Sequence, residues 1–287
     1  AARSYANAQA LAHAERALAL TSAGDLPRRY ALTLLRCRVL ELLPDREQRA
    51  TGLGALQAIA DEAGNGLWQA ECRVLQSRYC FDAGDDLDAL EHARAAVDLV
   101  PAGASAHAAE AHASLARCLL RLGRHAEFLE QSMLALHLAR TAADRRVEGM
   151  VLNELGMQAD DEGDYGLAME RYAEALVLHR AIGNRNSEGG TLNNLGYAAM
   201  SLGDYETAIE RFGEARALFA AVGNRQNEAV TWINAGIAEL NLGRPEVALD
   251  AIDKALPILR AAGARWLEAA ALRLQGQSEL ALGRFQI

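Results

Sequence analysis

Two interleaved series of turn-forming residues divide this chain at regular intervals. Successive members are 40 residues apart, except for one step of 39 that falls between the second and third repeats in both series. The first series is Gly24, Gly64, Gly103, Ala143, Gly183, Gly223 and Gly263, and the second, offset by 20 residues, is Pro44, Gly84, Gly123, Gly163, Gly203, Gly243 and Gly283. Two series that slip at the same place indicate an architecture that grows by stacking one repeated unit.

The segments between these breaks are each long enough for one helix. They carry apolar residues at helical spacing, for example Ala168, Tyr172, Ala175 and Leu176. Aromatic residues make up only 5% of the chain and proline contributes 5 of 287 residues, a profile led by Ala and Leu that favours helix over strand. We therefore predict an all-α fold of about 14 helices, in which each period is a pair of antiparallel helices.

The residues at the breaks suit helix ends. Gly163 and Gly203 can adopt the left-handed conformation that closes a helix, and Asp164 and Asp204 can cap the helix that follows. Pro245 occupies the corresponding first-turn position one repeat later, where its missing N–H costs nothing.

A motif in the C-terminal half identifies the type of repeat. Leu192-x2-Leu195-Gly196, followed by Ala208-x3-Phe212, resembles the tetratricopeptide repeat signature. The pattern recurs one period earlier and one period later, at Leu152, Leu155, Gly156, Ala168 and Tyr172, then at Trp232, Gly236 and Ala248. The resemblance implies a right-handed α-solenoid of tetratricopeptide-type helical hairpins, here in a 40-residue variety.

Agreement with this motif differs along the chain. Residues 141–287 follow it, as three hairpins plus a lone final helix. Residues 1–140, a lone helix plus three hairpins, keep the register but have Cys37, Ser77 and Ala116 in place of the motif glycine. We expect degenerate N-terminal repeats and regular C-terminal repeats within one continuous superhelix.

Both ends of the chain fall in the middle of a repeat, so we expect a fragment of a longer protein. The final helix carries Trp266, Leu267, Leu272 and Leu280, with no helix after it to cover them. The alternative is a self-contained protein that self-associates through this uncapped C-terminal helix.

The resemblance also implies a site, because in this family the first helix of each pair lines a concave groove that holds a protein or peptide. Recurrent asparagines in the groove could grip a peptide backbone, since an amide offers both a donor and an acceptor. Alternatively, they are simply exposed or bridge neighbouring repeats. The candidate groove residues of the regular repeats are Asn153, Met157, Asn193, Asn194, Tyr197, Asn234 and Arg273.

A second candidate lies in the N-terminal repeats. Arg38, Arg78 and Arg117 share one register position and would form a basic ladder. Such a ladder could clamp acidic side chains or a carboxylate by bidentate hydrogen bonds. Glu71 and Glu110 project from the same helices and would neutralise part of its field.

Other functional classes find little support. The net charge of −9 comes without a basic stripe, which argues against direct nucleic-acid binding. There is no apolar run of membrane-spanning length, and four sparse cysteines suggest reduced, buried thiols in a cytoplasmic protein. We find no catalytic motif and no cofactor-binding loop, and His107 and His112 lack zinc-site spacing. We therefore expect no enzyme, cofactor or metal, an enzyme acting near Asp160 being the weakest alternative.

The function that fits best is a protein- or peptide-binding scaffold or sensor module of a larger bacterial signalling or regulatory protein. Lys254 is the only lysine, which we interpret as the coding bias of a GC-rich bacterial genome. The G-N-R-x-x-E turns are similar to repeat regions of multidomain signalling ATPases. This similarity implies a nucleotide-binding switch and an output domain as partners in the same polypeptide. The alternative is a self-associating assembly module with no separate ligand.

Overall fold

The computed structural model describes residues 2–41, 43 and 45–284, with side chains from residue 7 onward. These residues form fourteen α-helices and no strand, which confirms the predicted all-α fold. Pro44, a member of the second turn series, lies outside the described residues. The chain divides into two compact units between Ala142 and Ala143. A continuous superhelix stays a prediction.

Unit 1 contains seven helices. They are α1 (Ala2–Leu20), α2 (Leu26–Leu40), α3 (Arg46–Glu62), α4 (Gly66–Ala83), α5 (Asp86–Leu99), α6 (Ser105–Arg121) and α7 (His125–Thr141). We call the even-numbered helices A helices, because each is the first of a repeat pair, and the odd-numbered helices B helices. The core of unit 1 includes a stacked pair, Tyr30 and Trp68, whose ring centroids are 4.3 Å apart.

Unit 2 also contains seven helices, which continue the alternation. They are α8 (Arg145–Asp161), α9 (Tyr165–Ala181), α10 (Arg185–Ser201), α11 (Tyr205–Val222), α12 (Arg225–Asn241), α13 (Pro245–Ala262) and α14 (Arg265–Ala281). Each A helix packs against the B helices before and after it within the unit. The apolar core runs along these contacts.

The predicted caps are confirmed. Gly163 and Gly203 have φ values of 80° and 82°, in the left-handed region. The Asp164 carboxylate accepts a hydrogen bond from the backbone N–H of Leu167, and the Asp204 carboxylate caps α11 in the same way. Ala143 stands in the first glycine series and takes φ 53°, the only positive φ of a non-glycine residue in the described stretches of the chain. The turn geometry therefore persists without the glycine, at a conformational cost of roughly 1–2 kcal/mol.

Glycines of the A helices meet large side chains of the B helices in unit 2. A Cβ added at Gly156 would lie 2.5 Å from Cε1 of Tyr172, and one added at Gly196 would lie 2.7 Å from Cε1 of Phe212. Both rings are fully buried. Because glycine lacks a Cβ, the ring rests directly on the helix backbone, and the two helices approach closely.

The neighbouring glycines Gly189 and Gly190 of α10 have different surroundings. A Cβ at Gly189 would lie 3.0 Å from Cε1 of Phe219, so close packing accounts for this residue. Nothing lies within 4 Å of a Cβ at Gly190. Close packing therefore explains Gly189 but not Gly190.

We expect Gly196→Ala to lower the free energy of unfolding by about 1–3 kcal/mol, because the methyl group would displace the buried Phe212 ring. Urea denaturation followed by far-ultraviolet circular dichroism measures the change.

Gly190→Ala in the same helix is the matched control. It should raise the free energy of unfolding by about 0.5–1 kcal/mol, since alanine is the better helix former and nothing obstructs it. Equal effects of the two substitutions would contradict the packing role of Gly196.

Candidate functional site

The A helices of unit 2 form one continuous surface. Helix α10 contacts α8 and α12, and α12 contacts α14. In contrast, no Cα atoms of the described B helices α9, α11 and α13 lie within 8 Å of one another. Since the A helices touch while the B helices stay apart, unit 2 bends with its A helices on the inner side. We call this inner surface, formed by α8, α10, α12 and α14, the A-face.

Side-chain amides on the A-face bond to one another across neighbouring helices. The Oδ1 of Asn153 accepts hydrogen bonds from Thr191 Oγ1 at 3.0 Å and from Asn194 Nδ2 at 3.3 Å. Asn193 Oδ1 accepts from Asn234 Nδ2 at 3.0 Å. We call these five residues the amide ladder. The asparagines thus bridge adjacent repeats, which was one of the alternatives open from the sequence.

The ladder retains hydrogen-bonding capacity. The Asn193 side chain is half-buried and uses its carbonyl in the ladder, which leaves its NH₂ group directed to no side chain among the described residues. The Asn234 side chain is also half-buried and donates its NH₂ group to Asn193. Its carbonyl oxygen therefore accepts from no side chain among the described residues. One amide bond of an extended peptide could therefore be bound without breaking the ladder.

Three other predicted groove residues reach solvent. Met157 is 42% exposed and Tyr197 is 50% exposed. The Met157 sulfur lies 3.8 Å from Asn153 Nδ2, so this apolar side chain adjoins the amide ladder. Arg273 is exposed on α14. The A-face therefore offers apolar contact area beside the uncharged amide ladder, and a charged group, Arg273, on α14.

The predicted arginine ladder of unit 1 is engaged in ion pairs between repeats. Arg38 Nη2 donates to Glu71 Oε1 at 3.0 Å. Arg78 lies between two carboxylates, with Nη1 3.4 Å from Glu41 Oε2 and Nη2 3.4 Å from Glu110 Oε1. These contacts link successive A helices and balance most of the positive charge.

The third ladder arginine differs from the other two. The Arg117 guanidinium carbon lies 6.0 Å from the centroid of the Phe81 ring, which is covered more closely by Arg121 at 3.2 Å. This arrangement places Arg117 beside an aromatic side chain of the preceding A helix. The three arginines therefore join helices within unit 1 in different ways and do not present three equivalent clamps.

Sequence reasoning missed Thr191, which donates a hydrogen bond to Asn153 in the ladder. This residue is buried on the core side of α10, and Thr231 occupies the same register one repeat later. The Thr231 hydroxyl bonds instead to the backbone carbonyl of Glu228. The sequence signal was a threonine that recurs two or three residues before the recurrent asparagines. The sequence does not show that Thr191 bonds to Asn153 while Thr231 bonds to its own helix backbone.

The acidic residues near Asp160 have structural partners. Tyr172 Oη donates a hydrogen bond of 2.7 Å to Asp160 Oδ2. Burial raises the pKa of Asp160 above its usual range, and it also raises the pKa of the Tyr172 hydroxyl. The pair fixes the ring that packs on Gly156 and so belongs to the repeat core.

The cysteine and histidine side chains show no arrangement typical of reactive or metal-binding sites. Burial raises the pKa of Cys37 to about 11 and that of Cys72 to about 12, so both thiols stay protonated at neutral pH. His112 Nδ1 lies 2.7 Å from Gln131 Oε1. Within residues 2–41, 43 and 45–284, no three His, Cys, Asp or Glu side chains are placed to share a metal ion.

The last helix, α14, has two different faces. Trp266 is 72% exposed, and Leu272 and Leu280 are also exposed. Leu267, in contrast, is buried in a cluster with Ile233 and others on the two preceding helices. The expectation that Leu267 lacks cover is therefore wrong, because it faces back into the hairpin. No helix among the residues that the structure describes is long and apolar enough to cross a membrane.

Part of unit 2 matches a known family of repeats. Residues 187–261 match a family model described as tetratricopeptide repeat. Residues 187–261 therefore carry tetratricopeptide repeats. The matched segment includes the close contacts of Gly189 and Gly196 and most of the amide ladder. No curated protein matches the chain as a sequence.

Solved structures share the tetratricopeptide-type fold. A Rap protein, crystallised in complex with Competence and Sporulation Factor, is 19% identical, with a TM-score of 0.71 over 98% of this chain and 78% of that chain. A signal transduction ATPase with numerous domains and a tetratricopeptide repeat sensor, from Pyrococcus horikoshii, is 15% identical, with a TM-score of 0.69. The match covers 96% of this chain and 43% of that one.

A third structure, BtubC from P. vanneervenii, is 20% identical, with a TM-score of 0.59 over 85% of this chain and 93% of that chain. At such identities the likeness shows the fold alone. The tetratricopeptide repeats form a helical scaffold of the kind typical of protein-interaction modules.

We expect Asn153→Ala to lower the free energy of unfolding by about 1–2 kcal/mol, because Thr191 and Asn194 lose their shared acceptor. Urea denaturation of the full chain measures the change. Asn241→Ala is the control, since the Asn241 side chain donates to the carbonyl of Ile237 in its own helix. Its effect should stay within about 0.5 kcal/mol. A similar loss in both variants would contradict a role of the ladder in joining repeats.

Proposed function

We propose that this chain is a protein- or peptide-binding module and that the A-face of unit 2 holds an extended, largely uncharged polypeptide segment. The observation that carries this proposal is the placement of two exposed apolar side chains. Met157 contacts Asn153 of the amide ladder, and Tyr197 lies one helical turn along α10 from Asn193 and Asn194. Apolar side chains supply contact area at a binding surface, while amides can pair with the backbone of the bound segment.

The electrostatics of the two candidate sites favour the A-face over the arginine ladder. In unit 1, Arg38 and Arg78 already pair with carboxylates, so an acidic ligand would have to replace existing ion pairs. On the A-face, the ladder residues carry no charge and keep an amide NH₂ and a carbonyl for a ligand. A neutral segment with apolar anchors therefore loses little on desolvation.

We further propose that the module receives a signal within a larger bacterial signalling protein of the cytoplasm. Two similar folds support this role. The Rap structure holds Competence and Sporulation Factor, and the Pyrococcus horikoshii protein is described as a signal transduction ATPase with a tetratricopeptide repeat sensor. Because this chain spans less than half of the latter, a nucleotide-binding switch and an output domain would belong to other regions of the polypeptide.

A selection from random dodecapeptides, displayed on ribosomes and captured by the intact chain, tests the proposal. We expect the enriched peptides to be poor in charged residues. Their affinity, measured by fluorescence anisotropy, should fall about tenfold or more in the double variant Met157→Ser with Tyr197→Ser, because exposed tyrosines often dominate binding energy.

The matched control is Leu167→Ser with Val177→Ser. These residues are 38% and 67% exposed and lie on α9, a B helix away from the A-face. This variant should bind the enriched peptides as the unmodified chain does. The proposal is wrong if no peptide is enriched, or if the two double variants lose affinity equally.

Self-association through α14 stays a prediction. Exposed Trp266, Leu272 and Leu280 would supply apolar contact area, and Arg273 is exposed on the same helix. The A-face combines apolar and hydrogen-bonding groups, and we therefore prefer the peptide-binding proposal.

A further inference from the structure

A pocket of about 320 Å³ opens on the opposite side of unit 2, between the B helices α9 and α11 and above α10. This volume lies at the small end of the range of about 300–1,000 Å³ that is typical of ligand pockets. It suits one ring system rather than a length of peptide. Its lining combines apolar, hydroxyl and guanidinium groups from Met169, Leu176, Leu195, Thr207, Arg180 and Arg211.

Elsewhere in the chain, two cationic side chains repeatedly flank one aromatic ring. In unit 1, the guanidinium carbons of Arg46 and Arg49 each lie 5.4 Å from the centroid of Tyr79. In unit 2, Trp232 lies under Arg216 at 3.6 Å and near the Lys254 ammonium at 4.6 Å. Attraction between a cation and the face of an aromatic ring explains this preference.

The pocket is lined by two guanidinium groups, those of Arg180 and Arg211, but by no aromatic side chain. The residues one period later in the sequence show why no aromatic side chain of this chain lies in the pocket. One period after Leu192 and Leu176 stand Trp232 and Arg216, which stack on each other in the space beside α12. Leucine at both earlier positions leaves less side chain to occupy the corresponding space beside α10, where Leu176 lines the pocket wall.

We propose that this pocket binds one neutral aromatic side chain of a partner polypeptide, held between Arg180 and Arg211. We call it the outer pocket. Met169 in its wall favours the same occupant, because thioether sulfur makes favourable contacts with aromatic rings. The outer pocket is independent of the proposed peptide site on the A-face, because Met157, Tyr197 and the amide ladder do not line it.

The charges around the outer pocket favour a neutral occupant over an anion. Arg211 Nη1 lies 2.5 Å from Glu214 Oε1, and Arg180 Nη2 lies 3.4 Å from Glu214 Oε2. Arg180 Nε also donates to Glu188 at 2.8 Å. Two carboxylates therefore balance the two guanidinium groups, and the flat faces of the latter stay suited to a ring.

The position of the pocket favours a side chain of a polypeptide over a free small molecule. Ala173 and Arg180 at its rim are exposed on α9, so the backbone carrying the ring can remain outside. Anchoring by one aromatic side chain is a common feature of protein interfaces.

Titration of the isotope-labelled chain with short capped peptides tests the proposal by NMR. The probes are Gly-Trp-Gly, Gly-Leu-Gly, Gly-Phe-Gly and the pentafluorophenylalanine analogue of the last. We expect Gly-Trp-Gly to bind weakly and to shift the backbone amide signals of Ala173, Leu195 and Thr207. Gly-Leu-Gly should bind less tightly. The fluorinated ring has the opposite quadrupole and should bind roughly threefold to tenfold more weakly than phenylalanine.

Ala173→Phe should fill the pocket and remove binding of Gly-Trp-Gly, whereas Val177→Phe should leave it intact. Val177 is 67% exposed one turn further along α9 and does not line the pocket. The Met157→Ser, Tyr197→Ser variant should also retain binding, which separates this site from the A-face.

Three results would overturn the proposal. The first is equal binding of the tryptophan and leucine peptides, and the second is equal loss in Ala173→Phe and Val177→Phe. The third is that octanoate, a probe for an anion with an apolar tail, shifts the same amides while Gly-Trp-Gly does not. That outcome would identify an anion site.

Discussion

The close approach of a helix backbone to a large buried side chain is the contact on which unit 2 depends. At Gly156 and Gly196, the ring of the following B helix occupies the space that a Cβ would need. This contact fixes the spacing within the first two hairpins of unit 2. With that spacing fixed, neighbouring A helices touch and B helices stay apart, so the inner and outer surfaces of unit 2 acquire different shapes.

Unit 1 has other side chains at the positions of the unit 2 glycines and rings. The glycine position is occupied by Cys37, Ser77 and Ala116, all buried. At the register of the unit 2 rings, unit 1 has Ala93 and Ser132 in its second and third hairpins, both fully buried. Small residues on the B helix leave room for a Cβ on the A helix. In these two hairpins, unit 1 therefore has small residues on both helices, whereas unit 2 pairs a glycine with a large ring at Gly156 and Gly196.

Local signals account for what could be predicted from the sequence. Turn glycines, capping aspartates and helical periodicity act over a few residues, and their 40-residue recurrence located every helix. Ala143 also adopts the left-handed conformation that its position in the first turn series predicts. The partners of long or amide side chains could not be predicted, because they depend on contacts between residues about 40 positions apart. Asn153, for example, could equally have faced solvent, and Arg78 could have remained unpaired.

The two surfaces of unit 2 suit different occupants. The A-face joins apolar side chains to an amide ladder, which fits an extended segment with its own backbone hydrogen bonds. The outer pocket is compact and bordered by two arginines whose charges are balanced, which fits a single ring. A partner that uses both surfaces would gain from two linked contacts, and each would bind more tightly than it does alone.

A double-mutant cycle on Gly196 and Phe212 tests the central packing claim most directly. Gly196→Ala, Phe212→Leu and the double variant are compared by urea denaturation of the full chain. If the ring rests on the glycine, the smaller leucine makes room for the new methyl group. The double variant should then be more stable than the sum of the single effects by about 1 kcal/mol or more. Additive effects, within about 0.5 kcal/mol, would contradict the account.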